Sequence, residues 1–404
     1  MAINNEQNKL NVPHLRFPEF QGEWCFSTIG EQFDLYSGNT PSRLNKEHFE
    51  GNVNWITSGE LKEHYISDTK EKISEDAATA NNLKLLHPGT FVIAIYGLEA
   101  DGVRGTGSIT CKESTISQAC MAFTQKGDVK NEFLYSWYKK HGNIIGIKYA
   151  QGTKQQNLSY DILEKFHIAY PSQDEQDKLI KFISLLDERI ATQSKLIEDL
   201  KKLKSAIIDY AINSLDTDFA KFGSLYEIAG EGGTPTTSNA NFYDNGKIPF
   251  IKIDDLKKKY LTENKDFITE LGLQKSSAWL VPTRSILFSN GATIGEITIT
   301  TYPVCTKQGI LGIVPKPNID VEFLYYFMSS SYFKRAVSRI VTEGTMKTAY
   351  LKDINNIRCP IPTKEKQLDI AKMPSALNSK IDFEQSILKL FDSQKQYLLR
   401  QMFI

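Results

Sequence analysis

The sequence is short of several things at once, and each shortage removes a class of function. Its 48 basic and 48 acidic residues cancel to a formal net charge of zero. No bulk positive field is available to hold nucleic acid, so any such contact must be local or shared with a partner. Five cysteines (Cys25, Cys111, Cys120, Cys305 and Cys359) are scattered without a C-x-x-C pair or a neighbouring histidine cluster. That pattern supports neither a disulfide framework nor a zinc site, and no metal is expected. The longest apolar runs, such as FVIAIYGL at 91–98, fall far short of the roughly 20 residues a membrane helix needs. The polar start, MAINNEQNKLNVPHLRFPEF, has no apolar stretch of the secretory kind. The expectation is a cytoplasmic protein.

Catalytic vocabulary is equally thin. No phosphate-binding G-x-x-x-x-G-K-[ST] occurs, and GVRGTG at 102–107 has dinucleotide-motif glycines in the wrong order. Two adjacent prolines never occur, which rules out the Asp-Pro-Pro-Tyr type motif of amino-methyltransferases. H-E-x-x-H is missing, and all six histidines lie within the first 167 residues. Glu60-Leu61-Lys62 is a fragment of the kind nucleases use, but so short a match arises readily by chance. A self-contained methyltransferase or nuclease is therefore disfavoured, and the chain reads as non-catalytic.

What is present is a repeat. QGTKQQNLSYDIL at 151–163 is answered by EGTMKTAYLKDI at 343–354, and the match extends both ways. Thr40-Pro41-Ser42 answers Thr234-Pro235-Thr236, GNVNWITSGEL at 51–61 answers GKIPFIKIDDL at 246–256, and Gln118 answers Gln308. NEFLYSWY at 131–138 answers VEFLYYFM at 321–328, Pro171 answers Pro362, and LDERI at 186–190 answers LNSKI at 377–381. Order is kept throughout, so the 404 residues are two copies of one unit. Each copy opens with short strand-like runs between Gly/Pro turns, holds a helical piece, and ends in a long helix. The expected class is α+β, two mixed domains in a pseudo-two-fold arrangement separated by two long antiparallel coiled-coil helices. The expected bounds are 1–170 and 216–361 for the domains and 171–215 and 362–404 for the helical spacers.

The long helices carry a seam. Leu179, Ile183, Leu186, Ile190, Gln193, Ile197, Leu200, Lys204, Ile207 and Ala211 step by alternating fours and threes. Ile370, Pro374, Leu377, Ile381, Glu384, Leu388, Phe391, Lys395, Leu398 and Met402 repeat the pattern, polar at the same two steps. The apolar members are the expected helix-packing and subunit-interface residues. Proline costs about 3 kcal/mol inside a helix, so the second helix is expected to start near Ser375 or to kink at Pro374. A helix over 175–213 would be ~58 Å long. Short connections then favour an antiparallel pair, and one chain imitates a two-fold dimer.

The polar turns suit nucleic acid. Asn39, Thr40, Ser42 and Arg43 face Thr234, Thr236 and Thr237 in the alignment; Ser58 and Lys62 face Lys252 and Lys257; Lys154, Gln155 and Gln156 face Lys347. Side chains of these types reach base edges and phosphates. The same turns are ordinary Thr-Pro and Gly chemistry in any protein, and a non-catalytic bridging scaffold would explain the helices, though not the polar turns. The copies share framework and diverge at polar positions, as two readers of different half-sites would.

With the lead VPHLRFPEFQGEW, two domains opening on GNTPS and GGTPT, PSQDEQ before the first long helix, and the repeated helices, the whole chain resembles the specificity subunit of a type I restriction-modification system. The resemblance implies that each domain reads one part of an interrupted, asymmetric double-stranded DNA site. It further implies that the helices hold two modification subunits, which methylate adenine with S-adenosylmethionine, and that restriction subunits using ATP and magnesium join the assembly. No cofactor is expected on this chain.

Overall fold

The computed structural model describes residues 11–100, 102–152, 156–291, 293–341 and 347–404. The chain divides into two compact units, one running up to Gln193 and completed by Ile387–Ile404, the other Ser194–Ser386. In the first unit the strands are β1 (Cys25–Thr28), β2 (Phe33–Ser37), β3 (Val53–Ile56), β4 (Tyr65–Ile66), β5 (Lys72–Ile73), β6 (Phe91–Ala94), β7 (Gly107–Thr110), β8 (Ser114–Ile116), β9 (Cys120–Gln125) and β10 (His167–Tyr170). In the second they are β11 (Phe219–Lys221), β12 (Tyr226–Glu231), β13 (Ile248–Ile251), β14 (Tyr260–Leu261), β15 (Asp266–Ile268), β16 (Ile286–Ser289), β17 (Ile297–Thr300), β18 (Cys305–Thr306), β19 (Ile310–Pro315) and β20 (Arg358–Pro360).

The duplication is exact at the level of strand partners. A five-stranded sheet ordered β2-β9-β6-β7-β4 and a three-stranded sheet ordered β5-β3-β8 recur as β12-β19-β16-β17-β14 and β15-β13-β18. Both large sheets are mixed, with parallel pairs β4–β7 and β14–β17, and both small ones contain the parallel pairs β3–β8 and β13–β18. The central strands, FVIA and ILFS, are buried at every position, which is why their sequences run apolar without alternating. The expected α+β class is what forms.

Helix α1 (Asn131–Tyr149) lays Phe133, Leu134, Tyr135, Trp137 and Tyr138 into the first core. Its counterpart is broken into α3 (Val321–Ser329) and α4 (Ser331–Ile340), after the first long helix, α2 (Gln173–Asn213). Ser330 makes the break: its hydroxyl donates to Phe327 O at 2.6 Å and accepts from Phe333 N at 3.2 Å, while Ser331 N donates to Asp209 Oδ1 at 2.7 Å.

The second long helix is α5 (Lys364–Met402). It does not start near Ser375: Pro374 lies inside it and is buried. The first turn upstream is anchored by Gln367, which outweighs the loss of one backbone donor. Gln367 Oε1 accepts from Asp320 N at 2.7 Å, and its Nε2 donates to Asn318 O and Pro362 O. Gln176 does the same in the first unit, accepting from Lys130 N at 3.0 Å and donating to Asp128 O and Pro171 O. The lead segment is also pinned there, because Arg16 grips Glu175 through both carboxylate oxygens at 2.8 and 2.7 Å.

Within each unit the helices run antiparallel. In the first, Leu179 and Ile183 share a core with Leu399, Met402 and Phe403, Lys395 pairs with Asp187, and Arg189 lies 4.4 Å over the Phe391 ring. In the second, Lys204 donates to Asn378 at 2.9 Å, and Ile208 and Ile212 share a core with Ile370 and Ala371. Lys204 and Lys395 are repeat equivalents, as are Asn378 and Asp187, so the same cross-helix bond is made twice. Of the apolar seam residues, Leu179, Ile183, Ile197, Ile370, Ile381 and Met402 are buried, and Leu186, Ile190, Leu200, Ile207, Leu377, Leu388, Phe391 and Leu398 are half-buried. Near the end of each helix burial shifts by one position, to Ile208 and Leu399. A 3.6-residue period drifts off a 3.5-residue seam, and there the helix faces the sheet domain as well as its partner helix.

Candidate nucleic-acid interface

Each unit gathers its polar loops at one end of its sheets. In the first, β2 ends at Ser37 opposite Met121, and β6 ends at Ala94 opposite Cys120. Asn39 N donates to Ile116 O at 3.2 Å and Ser117 N to Ile56 O at 2.9 Å, which ties the ends of β3 and β8 to the same edge. Leu98 N donates to Gln156 O at 3.1 Å and Leu158 N to Ile95 O at 2.8 Å, so the later loop arrives there too. A recess of about 500 Å³ opens beside them, lined by Ser37, Tyr96, Gln151, Asn157, Ser159 and Tyr160 among others.

The second unit repeats the plan. Gln308 N donates to Thr234 Oγ1 at 3.3 Å, Lys307 N to Ile251 O at 2.9 Å, and Asn290 is bonded on both sides to Ala349. The glycines opening the Thr-Pro turns explain their own recurrence. A Cβ on Gly38 would fall 1.8 Å from Ile116 O, and one on Gly232 2.2 Å from Thr306 O. Only glycine lets these turns lie on the neighbouring strand.

The predicted contact residues divide by what already holds them. Asn39 is turn chemistry: its side chain accepts from Thr40 N at 2.8 Å and its carbonyl accepts from Trp55 Nε1 at 3.2 Å. Arg43 has both fork nitrogens on Glu71 at 2.8 Å, and its guanidinium stands 4.9 Å over Phe49. Two of its five N–H donors are thus taken, and its charge is matched by that carboxylate. Lys252 pairs with Asp266 at 2.7 Å and Lys257 with Asp254 at 3.1 Å. Thr40 and Thr234 are half-buried, and so is Ser58, whose short turn is closed by Glu60. Glu60 accepts from Thr57 N and Lys70 N at 2.9 and 2.7 Å, which occupies the one carboxylate of the nuclease-like tripeptide. Ser42, Lys62, Thr236, Thr237 and Lys347 are exposed. Lys154 and Gln155 lie outside the described residues.

Two further features sit at this edge that the turn motifs did not single out. Arg104 donates to Gln156 Oε1 at 2.9 Å, while Glu99 accepts from Gln156 N at 2.8 Å, so that glutamine is held on both sides. Gln118 and Gln308 are exposed on the matching turns between β8 and β9 and between β18 and β19. Their signal in the sequence was the repeat match itself. Among the described residues no group of His, Cys, Asp and Glu is placed to hold a metal ion, and no helix is long and apolar enough to cross a membrane. Cys25 and Cys111 are exposed free thiols, and the other three cysteines are buried.

Comparison with known proteins agrees with this arrangement. The model of the type I restriction modification DNA specificity domain matches twice, at residues 21–202 and 215–390. The type I restriction enzyme MjaIX specificity subunit of Methanocaldococcus jannaschii is 25% identical over 366 residues, 84% of this chain and 83% of that protein. Among solved structures, the S subunit of a type I restriction-modification system from M. genitalium has a TM-score of 0.56 at 19% identity, covering 97% of this chain and 99% of its own. A structure described as the basis of complex assembly and conformational transition of the type I R-M system has a TM-score of 0.60 at 14% identity, covering 96% of this chain and 98% of its own. Two copies of one DNA specificity domain, each with its polar loops at a single sheet edge, account for the whole architecture: the chain belongs to the type I restriction modification DNA specificity family, as a non-catalytic specificity subunit that recognises DNA sequence.

Proposed function

We propose that each recognition domain reads one half of an interrupted, asymmetric DNA site, and that the paired helices dock two modification subunits. The carrying observation is the contrast between an identical framework of strand partners and loops that differ at their polar positions. A common frame with different loops is what two readers of unlike half-sites require. The exposed candidates Ser42, Lys62, Thr236, Thr237 and Lys347, with Gln118 and Gln308, are the first to test for contact. The net charge of zero leaves part of the phosphate clamp to the partners.

Docking is supported by what the helices leave uncovered. On α2, Leu196, Leu203 and Tyr210 recur at intervals of seven and are 41%, 48% and 77% exposed; on α5, Phe383, Leu390 and Tyr397 do the same at 59%, 68% and 54%. A second apolar line at heptad spacing is what a partner helix needs. In this reading the methylation with S-adenosylmethionine and the use of ATP and magnesium by restriction subunits belong to partner chains in the cytoplasm, and this chain carries no cofactor.

Methylome sequencing of cells with and without this chain tests the reading. The expected result is one two-part motif with a fixed gap, methylated only when the chain is present. Replacing residues 216–361 with the corresponding domain of a relative should change one half of the motif and leave the other. A contiguous motif, or a change in both halves, would overturn it.

A further inference from the structure

Each unit packs its sheet domain against its helices around a buried basic side chain at the same repeat position, and the two side chains differ. In the first unit His64, beside the start of β4, is only 12% exposed. Its ring lies between Tyr65 and Tyr135, with centroids 4.1 and 4.0 Å away and planes nearly parallel. Nε2 is 2.8 Å from Glu132 Oε2 at the start of α1, and Nδ1 is 3.2 Å from Asp187 Oδ2 on α2. Asp187 also holds Lys395 of α5. Lys139 Nζ stands 5.0 Å over the Tyr135 ring.

In the second unit the aligned residue is Lys259, 3% exposed. Its ammonium lies 4.7 Å from the Tyr260 ring and 4.9 Å from that of Tyr326. It donates to Glu322 Oε2 at 2.8 Å and to Ser375 Oγ at 2.9 Å on α5. Tyr65 and Tyr260, and Glu132 and Glu322, are repeat equivalents. The two sites thus share the basic position, one ring and one carboxylate, with an imidazole in one copy and an ammonium in the other, while the second ring and the long-helix partner come from non-equivalent positions, Tyr135 against Tyr326 and Asp187 against Ser375.

The geometry fixes the charge state each site needs. His64 faces a carboxylate from each ring nitrogen: Nε2 is hydrogen-bonded to Glu132, while Nδ1 and Asp187 Oδ2 meet at ion-pair distance without hydrogen-bond alignment, and only the doubly protonated imidazolium presents an N–H to both. A neutral ring would turn a lone pair toward either Glu132 or Asp187 in a site largely shut off from water. We propose that His64 is a positioning residue that seats the first recognition domain on its helices only while protonated, so that this seat loosens as pH rises past neutrality while the Lys259 seat does not.

Burial alone would lower the pKa of His64, but the Asp187 and Glu132 carboxylates overcome it and raise the group above its ordinary value. A raised folded-state pKa gives stability that is complete below the unfolded value, ~6.5, and is lost as pH rises through the folded one. The other charged groups around the site are Glu132, Asp187 and Lys395, with Lys139 and Glu63 beside Tyr135. Lys139 also titrates nearby: burial, helped by Lys395, pushes it down to about 8. Its sign is opposite, because a lysine depressed in the folded state favours folding more as pH rises.

Hydrogen exchange of the full chain between about pH 6 and about pH 8.5, corrected for intrinsic rates, reads each seat separately through Asn131–Tyr149 and Val321–Ser329. The wild type should show faster exchange in the first helix as pH rises, about tenfold for each unit by which folding raises the imidazole, with no change in the second. His64→Gln should exchange fast at both ends of the range. His64→Lys should abolish the pH dependence while keeping slow exchange, which loss of packing alone would not do. Lys259→His should transfer the dependence to the second unit, and this decides the matter if His64→Lys fails to fold. A flat wild-type profile, a His64→Lys chain as pH-dependent as the wild type, or a Lys259→His chain without new dependence would each overturn the proposal.

Discussion

Gln176 and Gln367 do identical work in the two units, whereas His64 and Lys259 fill one site with different chemistry. The difference separates what the fold demands from what it tolerates. Each glutamine satisfies one backbone donor and two backbone acceptors where a strand, a loop and a long helix meet. No other side chain of that length offers both an acceptor and two donors. The cation site asks only for positive charge between aromatic rings and a carboxylate, and two residue types can supply it.

The comparison breaks most severely if the glutamines are not equivalent. Both are essentially inaccessible, at 0% and 1% exposure. Gln176→Leu and Gln367→Leu each leave three backbone groups without their partner, one of them fully buried in the first unit and two in the second, and each buried group left unpaired costs about 1–3 kcal/mol. We expect each variant to lose about 4 kcal/mol or more in urea-induced unfolding. A loss in one unit only would mean that the two helix starts are held differently.

A smaller effect separates the two cation sites at acid pH. Burial would raise the Glu322 carboxyl, but Lys259, Ser375 and Tyr260 pull it down to about 2. A depressed folded-state pKa contributes stability above the unfolded value, ~4.3, and loses it as pH falls toward the folded one. From a fall of two to three units the contribution at neutral pH is about 3 kcal/mol. Glu322→Gln should remove about that much at neutral pH and flatten the acid limb of the second unit's unfolding between about pH 4.5 and about pH 2. The first unit, followed by the same hydrogen-exchange peptides, should keep its own acid response.

Much of the frame was legible in the sequence, for reasons that rest on particular residues. The repeat showed because backbone partners demand the same residue at matched points, as Gly38 and Gly232 do by their approach to Ile116 and Thr306. The seam was legible because Leu179, Ile183, Ile197 and Ile381 must be buried at fixed intervals. Of the two outcomes expected at Pro374, a start near Ser375 is not what forms. Propensity weighed one lost donor, whereas the anchor at Gln367 and the buried face shared with Ile370 and Ala371 hold the first turns in place. The base-contact candidates were legible only as a region. Arg43 and Lys252 look like contacts by residue type, but their partners Glu71 and Asp266 lie 28 and 14 positions along the chain, and nothing local announces them. Arg104 escaped notice for the same reason, since Gln156 is 52 positions away.

The finest distinction lies between Gln118 and Gln308, exposed equivalents at the two matching sheet edges. Neither contributes to a core, so Gln118→Ala and Gln308→Ala should leave unfolding within about 0.5 kcal/mol of the wild type. A glutamine that reads a base contributes about 1 kcal/mol or more of discrimination against the wrong one. On the proposed reading, selection from a randomised duplex pool by the chain together with the proposed modification subunits should therefore show one relaxed position in one half-site for Gln118→Ala, and one in the other half-site for Gln308→Ala. Uniform weakening across all sequences would place both residues on phosphates instead, because a backbone contact carries affinity without sequence. Relaxation in the same half-site by both variants is the outcome that two independent readers forbid.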